Sequence, residues 1–143
     1  MLVGEILTSK GGDIFEVAAE DTVAQAVAIL ADKNIGAVLV RDQKKTISGI
    51  LSERDVVRHL AKGGNDPLQT PVADLMTKNV VTCEPNMTVD ALMAVMSERR
   101  IRHIPVVQNG NLKGMISIGD VVKRKISQSE EEAEALRQYI AAS

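Results

Sequence analysis

A chain of 143 residues with a formal net charge of −2 and two aromatic residues, Phe15 and Tyr139, lacks the basic surface that displaces counterions from nucleic-acid phosphates and the stacking platforms that hold single strands. Its length admits one ordinary domain or two small ones, and either buries a core, built here from Val, Ile, Leu, Met and Ala. The lone Cys83 forms no internal disulfide and has no Cys or His at metal-ligand spacing, so it reads as a core thiol.

No apolar run reaches the roughly 20 residues that span a bilayer. Residues 1–5 hold an early acid, Glu5, and no apolar core of signal-peptide length follows. A cytoplasmic protein without a membrane partner is the expectation.

Residues 3–7 are mostly apolar and run into Ser9-Lys10-Gly11-Gly12-Asp13, a loop by composition. Ile14-Phe15-Glu16-Val17 fits a short strand. Asp21 and Thr22 can cap a helix whose face carries Val23, Ala26, Val27 and Leu30 at spacings of three and four. Ala37-Val38-Leu39-Val40 has the pattern of a buried strand, 41–46 of a polar loop, and 47–51 of the strand that completes a hairpin. Ser52 stands where the next helix begins, with Val56, Val57 and Leu60 on its apolar face. Gly63-Gly64-Asn65-Asp66-Pro67 reads as a linker, because glycines end a helix and proline does not easily continue one.

A second unit follows the same order. Val72-Ala73-Asp74-Leu75-Met76 echoes Val3-Gly4-Glu5-Ile6-Leu7, Val80-Val81-Thr82-Cys83 matches the first strand, and Thr88 caps a helix with Val89, Leu92, Met93 and Met96 on one face. Strands over 103–107 and 112–116 flank the loop Gln108-Asn109-Gly110-Asn111. From Ser127 onward the chain has no partner in the first unit. Glu130, Glu131, Glu132 and Glu134 lie early there and Arg137 late, as a helix dipole favours, with Ala133, Leu136 and Ile140 on one face. A short amphipathic helix needs a surface to dock on, and a second copy of the chain is the favoured one.

The duplication is plainest at Gly114-Met115-Ile116-Ser117-Ile118-Gly119-Asp120, which repeats Gly49-Ile50-Leu51-Ser52-Glu53-Arg54-Asp55 at an offset of 65 residues. Upstream, Thr22 and Thr88, and Ile35 and Ile101, are 66 apart, so the second hairpin is one residue shorter. Ser-x-x-Asp before an apolar run is a capping-box pattern, and in most proteins it is no more than that. The same geometry also offers a helix N-terminus to an anion, a serine hydroxyl beside it, and a carboxylate one turn in that can accept from the hydroxyls of a ribose. Arg102 and His103 open the strand next to the second copy and could neutralise phosphate. The corresponding Gly36 and Ala37 carry no cation, and Arg54 is the nearest substitute.

Other candidates carry less. His59 reads as a surface histidine at a helix C-terminus, and Lys123-Arg124-Lys125 as cations stabilising a helix end. Met93, Met96 and Met115 read as core fillers. No phosphate loop, dinucleotide loop or nucleophile-base-acid set is present, so no catalytic residue, metal site or catalytic cofactor is assigned.

Together the doubled Gly-h-h-Ser-x-x-Asp, the run Arg102-His103-Ile104-Pro105-Val106-Val107 and the β-α-β-β-α order resemble the cystathionine beta-synthase (CBS) domain, which occurs in tandem pairs called Bateman modules. The likeness spans about residues 3–126. It implies an α/β (α+β) fold of two repeats, 1–64 and 65–128, packed about a pseudo-twofold axis, with 129–143 as a C-terminal helix. It implies an adenine nucleotide ligand (AMP, ATP or NAD(H)) in clefts between the repeats, with Ser117, Asp120, Arg102 and His103 on phosphate and ribose. Ser52 and Asp55, with Arg54 near by, form the equivalent first site. Val17, Val81, Thr82, Ile104 and Pro105 supply apolar and backbone contacts. The expected protein is a non-enzymatic, energy-sensing regulatory homodimer that signals to an unknown protein. The rival is an interaction protein with empty clefts, whose Ser-x-x-Asp motifs are helix caps alone.

Overall fold

The computed structural model describes residues 1–64 and 66–142, so Asn65 of the expected linker and Ser143 of the tail lie outside the described residues. In chain order the elements are α1 (Val3–Lys10), β1 (Glu16–Val17), α2 (Val23–Lys33), β2 (Ala37–Arg41), β3 (Ile47–Ser52), α3 (Glu53–Lys62), α4 (Val89–Arg99), β4 (His103–Gln108), β5 (Asn111–Ser117) and α5 (Ile118–Ala142), with single 3-10 turns at Pro67–Gln69 and Val72–Asp74. They form two compact units: Asp13–Val81, and a discontinuous one made of Met1–Gly12 with Thr82–Ser143.

In the Asp13–Val81 unit, β1 runs parallel to β2 and β2 antiparallel to β3. The apolar spacing expected of α2 is realised, since Val23, Ala26 and Leu30 join Val38, Val40, Leu51 and Val56 in one core. Thr22 caps α2 reciprocally with Gln25: the Gln25 N–H donates to Thr22 Oγ1 at 3.2 Å, and the Thr22 N–H to Gln25 Oε1 at 2.8 Å. On α3 only Val56 is buried. Val57 and Leu60, expected beside it, are exposed; Val57 lies about 100° round the helix from Val56, and Leu60 sits a turn nearer the helix end.

The other unit builds the same plan from β4, β5, α4 and the first half of α5, around Leu92, Met96, Ile104, Val106, Ile116 and Val121. Its expected first strand is reduced to one rung. Cys83 bridges Val106 in parallel, its N–H donating to the Pro105 carbonyl at 3.0 Å and its carbonyl accepting from Val107 at 2.8 Å. The Asp13–Val81 unit extends this ladder upstream through the Leu39 N–H donating to Phe15 O at 3.1 Å. At an offset of 66 residues that donor becomes Pro105, which has no N–H, so Val80-Val81-Thr82 cannot continue the ladder.

The segment that leads into each repeat packs on the other repeat's unit. Residues 1–3 exchange backbone hydrogen bonds with the α4 entrance (Val3 N–H to Met87 O and Val89 N–H to Met1 O, both 2.9 Å), and Thr70 and Val72 do the same with the α2 entrance (Val23 N–H to Thr70 O at 2.9 Å, Val72 N–H to Asp21 O at 2.7 Å). The echo between Val3-Gly4-Glu5 and Val72-Ala73-Asp74 is thus structural, although the first folds as an α-helix and the second as a 3-10 turn. The expected tail helix is not separate: α5 is one helix of 25 residues from Ile118 to Ala142, with neither glycine nor proline after Gly119 to stop it.

Gly49 and Gly114 hold equivalent places on β3 and β5, but their neighbours differ. A Cβ on Gly49 would meet Met76 Sδ at 2.7 Å and the Thr77 carbonyl oxygen at 2.8 Å, whereas one on Gly114 would meet only Leu7 Cδ2 closer than 3 Å. Backbone yields less than the end of a leucine. Gly49→Ala is therefore expected to cost about 1–3 kcal/mol in urea unfolding and Gly114→Ala less; equal losses would contradict this packing.

Candidate functional site

Both copies of the heptapeptide place a strand end directly against a helix start, β3 into α3 and β5 into α5. The serine and aspartate close a reciprocal box in each. The Asp55 N–H donates to Ser52 Oγ at 3.2 Å and the Ser52 N–H to Asp55 Oδ2 at 3.0 Å; the Asp120 N–H donates to Ser117 Oγ at 3.2 Å and the Ser117 N–H to Asp120 Oδ2 at 2.8 Å. Each box fixes its carboxylate at the mouth of the helix, where the macrodipole favours negative charge.

The neighbouring strand adds one more clamp. The Glu53 N–H donates to Gly36 O at 2.9 Å and the Ile118 N–H to Arg102 O at 2.8 Å, while the ladder pairs Ala37 with Ser52 and His103 with Ser117. Gly36 and Ala37 are thus the spatial counterparts of Arg102 and His103, as the 66-residue offset requires. With the first and third helical N–H groups engaged, one donor of each first turn has no protein acceptor among the described residues: that of Arg54 in α3 and that of Gly119 in α5. Added to this are the serine O–H, whose oxygen accepts while its proton is free to donate, and the aspartate Oδ1. Each junction therefore offers two donors for an anion and a carboxylate oxygen for hydroxyls.

The junctions differ in charge. Asp120 is 23% exposed and is held by Lys10, whose Nζ lies 2.7 Å from Oδ2 and 2.6 Å from the Met115 carbonyl oxygen. Burial pushes the Asp120 carboxyl up, but the Lys10 ammonium and the Ser117 N–H outweigh it and leave the group below its ordinary value. Among the described residues Asp55 has no such cation. Arg102 is exposed and His103 half-buried at the start of β4, with Ile104 and Pro105 buried behind them. Arg54 is exposed on the first turn of α3.

The remaining expected residues lie elsewhere. Val17 is buried in β1 opposite Val40, three rungs from the Ala37–Ser52 pair and so about 10 Å along the sheet from Ser52. Val81 is half-buried and Thr82 exposed, neither in a strand; the ladder position matching Val17 is Cys83, whose thiol burial pushes up to about 11. Lys10 went unread in the sequence, where it counts as loop. It is instead the last residue of α1, brought to Asp120 across 110 positions by the packing of α1 on β5 and α5.

The CBS domain family matches residues 3–62 and again 72–127. A mitochondrial CBS-domain protein of Arabidopsis thaliana, CBSX3, is 34% identical over 146 aligned positions, covering 96% of this chain and 71% of its own length. The crystal structure of a CBS-domain protein from Agrobacterium tumefaciens is 44% identical and superposes with a TM-score of 0.84 over 87% of this chain and 92% of that one. At 23% identity the CBS domain pair of protein MJ0100, solved with 5′-methylthioadenosine and S-adenosyl-L-methionine, shares the fold, with a TM-score of 0.79 over 90% of this chain and 98% of that one. The chain belongs to the CBS-domain family, as a tandem pair.

The sign of the Asp120 shift sets a pH dependence. A carboxyl held below its unfolded value adds stability that is present above about pH 4 and lost as pH falls through the folded pKa. Lys10→Met is expected to lower stability by about 1 kcal/mol or less at pH 7, since the pair is partly exposed, and its deficit should shrink toward pH 2 in thermal unfolding to what the lost hydrogen bond to the Met115 carbonyl leaves. A deficit that persists unchanged at pH 2 would contradict the ion-pair account.

Proposed function

We propose that this chain is a regulatory module that binds adenine nucleotides, AMP, ATP or NAD(H), at its strand-to-helix junctions and passes the bound state to a protein partner, without a catalytic step of its own. The observation that carries the proposal is the set of groups left over once each capping box has closed: an N2 N–H and a serine O–H for phosphate, and an aspartate Oδ1 for ribose. The adenosine-containing ligands of protein MJ0100 support the same class of ligand.

The two junctions differ in this reading. At Ser117 and Asp120, the side chain of Arg102 supplies positive charge for phosphate with the His103 ring beside it as a polar contact, and Gly119 leaves its N–H uncovered. At Ser52 and Asp55, Gly36 and Ala37 supply none and the cation in the motif is Arg54, so this junction binds the ribose of a less charged adenosine ligand more readily than a polyphosphate. Ile104 and Pro105 back the charged junction. Val17, Val81 and Thr82 stand as the adenine contacts of the same reading. A ligand signals only by binding one arrangement of the protein better than another, and a homodimer carries that difference between copies.

A second reading has its own observation. Both boxes are complete as helix caps without any ligand, as an interaction protein with empty sites would have them.

Calorimetric titration with AMP, ATP and NADH separates the two. Saturable heat is expected with at least one, and Asp120→Ala should weaken it by about tenfold or more, the cost of losing charge-assisted hydrogen bonds, with unfolding still cooperative. No heat with any of the three at millimolar concentration would favour the capping reading.

A further inference from the structure

Val122, Ile126, Leu136 and Ile140 of α5 are 47%, 55%, 59% and 63% exposed. With Ser129 and Ala133 they fall at steps of four, three, four, three and four, the 3.5-residue period of a coiled-coil seam and not the wider stripe of a helix lying on its own domain. Ile126, Ala133 and Ile140 take one core position of the heptad, and Val122, Ser129 and Leu136 the other.

The flanking charges say what covers this seam. In a parallel, in-register pair each residue just before the core position of Ile126 and Ala133 faces the one five further along in the partner helix. Lys125 then faces Glu130 of the second copy, and Glu132 faces Arg137. The antiparallel pairing of the same length sets Glu130 against its own copy, Glu132 against its own copy, and Lys123 against Arg137. The sequence is complementary to itself in one orientation and repulsive in the other. Lys125 and Arg137 also hold Asp90 at 2.8 Å and Glu134 at 3.1 Å within the chain, pairs exposed enough to exchange partners.

We propose that residues 126–140 of α5 pair with the same segment of a second copy as a parallel two-stranded coiled coil. This rests on the homodimer in the functional reading and gives it a surface and an orientation. Ser129 and Ala133 bring the two backbones close at the middle of the seam. Beside them a groove of about 460 Å³, walled by Met93 of α4 with Val122, Ile126, Ser129 and Ala133 of α5, offers room for the partner's core side chains. A helix of this length is marginal alone; its start is anchored by Val121, buried in the domain core.

The test uses the full chain and three measurements: light scattering, circular dichroism and disulfide capture. The unaltered protein should scatter as a dimer at tens of micromolar. Leu136→Glu, far from either core, should return it to a monomer with its cooperative unfolding retained and at most the helicity of the tail reduced. Ser129→Cys should form a covalent dimer on mild oxidation, because a parallel pair sets residue 129 against itself. A monomeric unaltered protein, whose helix face is then left to some other partner, overturns both the homodimer and the coiled coil. A dimer indifferent to Leu136→Glu keeps the homodimer and overturns the coiled coil. A dimer broken by Leu136→Glu that crosslinks only in mixtures of Ser129→Cys with Ala133→Cys overturns the parallel orientation.

Discussion

The fold and the proposed activity both hang on one constraint: at two places a strand must hand over to a helix without leaving its first peptide groups unpaired. Four N–H groups stand exposed at such a start. Serine and aspartate three residues apart satisfy two by a reciprocal box, the neighbouring strand's carbonyl at Gly36 or Arg102 takes a third, and the donor that remains is the N2 N–H. Structural need and ligand recognition are therefore not rival uses of the motif. The cap immobilises the serine oxygen and one carboxylate oxygen, and by doing so presents the hydroxyl proton and the other carboxylate oxygen in fixed directions. A site whose groups are already held loses less entropy on binding.

The duplication that built the two junctions did not leave them equal, and the difference arises outside the motif. Around Asp120 a cation arrives from the far end of the chain, Lys10, and two more basic residues stand at the start of β4. Around Asp55 the same places hold Gly36, Ala37 and the backbone of Thr77, which exchanges hydrogen bonds with Ile50 at 2.9 and 3.0 Å. Lys10 saturates one oxygen of Asp120 before any ligand comes. Lys10 thereby screens one side of the Asp120 carboxylate, and among the described residues no lysine or arginine does the same for Asp55. Identical caps thus acquire different electrostatics from the segments packed beside them.

Much of this was legible in the sequence, for identifiable reasons. Period-3.6 patterns located α2 and α4, because one face of each is buried in an aliphatic core, and short apolar runs on either side of polar loops located both hairpins. Ser52, Asp55, Ser117 and Asp120 were legible because capping is a local rule and the duplication repeated it. Three features were not. The strand expected over 80–83 shrinks to the Cys83 rung because Pro105, in the neighbouring strand, has no N–H to give, a signal available only once register is known. The tail reads as separate because its charges change at Ser127, yet nothing in α5 breaks the helix, and the absence of glycine and proline after Gly119 was the better guide. The Lys10 contact and the exchange of lead segments depend on which unit a segment folds onto, and local pattern does not carry that information.

The strand-to-helix junctions are proposed as the place where an adenosine ligand is held. Amide NMR shifts recorded during titration with AMP test it most directly. Saturable shifts centred on residues 117–120, with the Gly119 amide moving furthest downfield as its open N–H gains a phosphate acceptor, are expected. Saturable shifts that leave both 117–120 and 52–55 unmoved, with the ligand bound elsewhere on the chain, would contradict it.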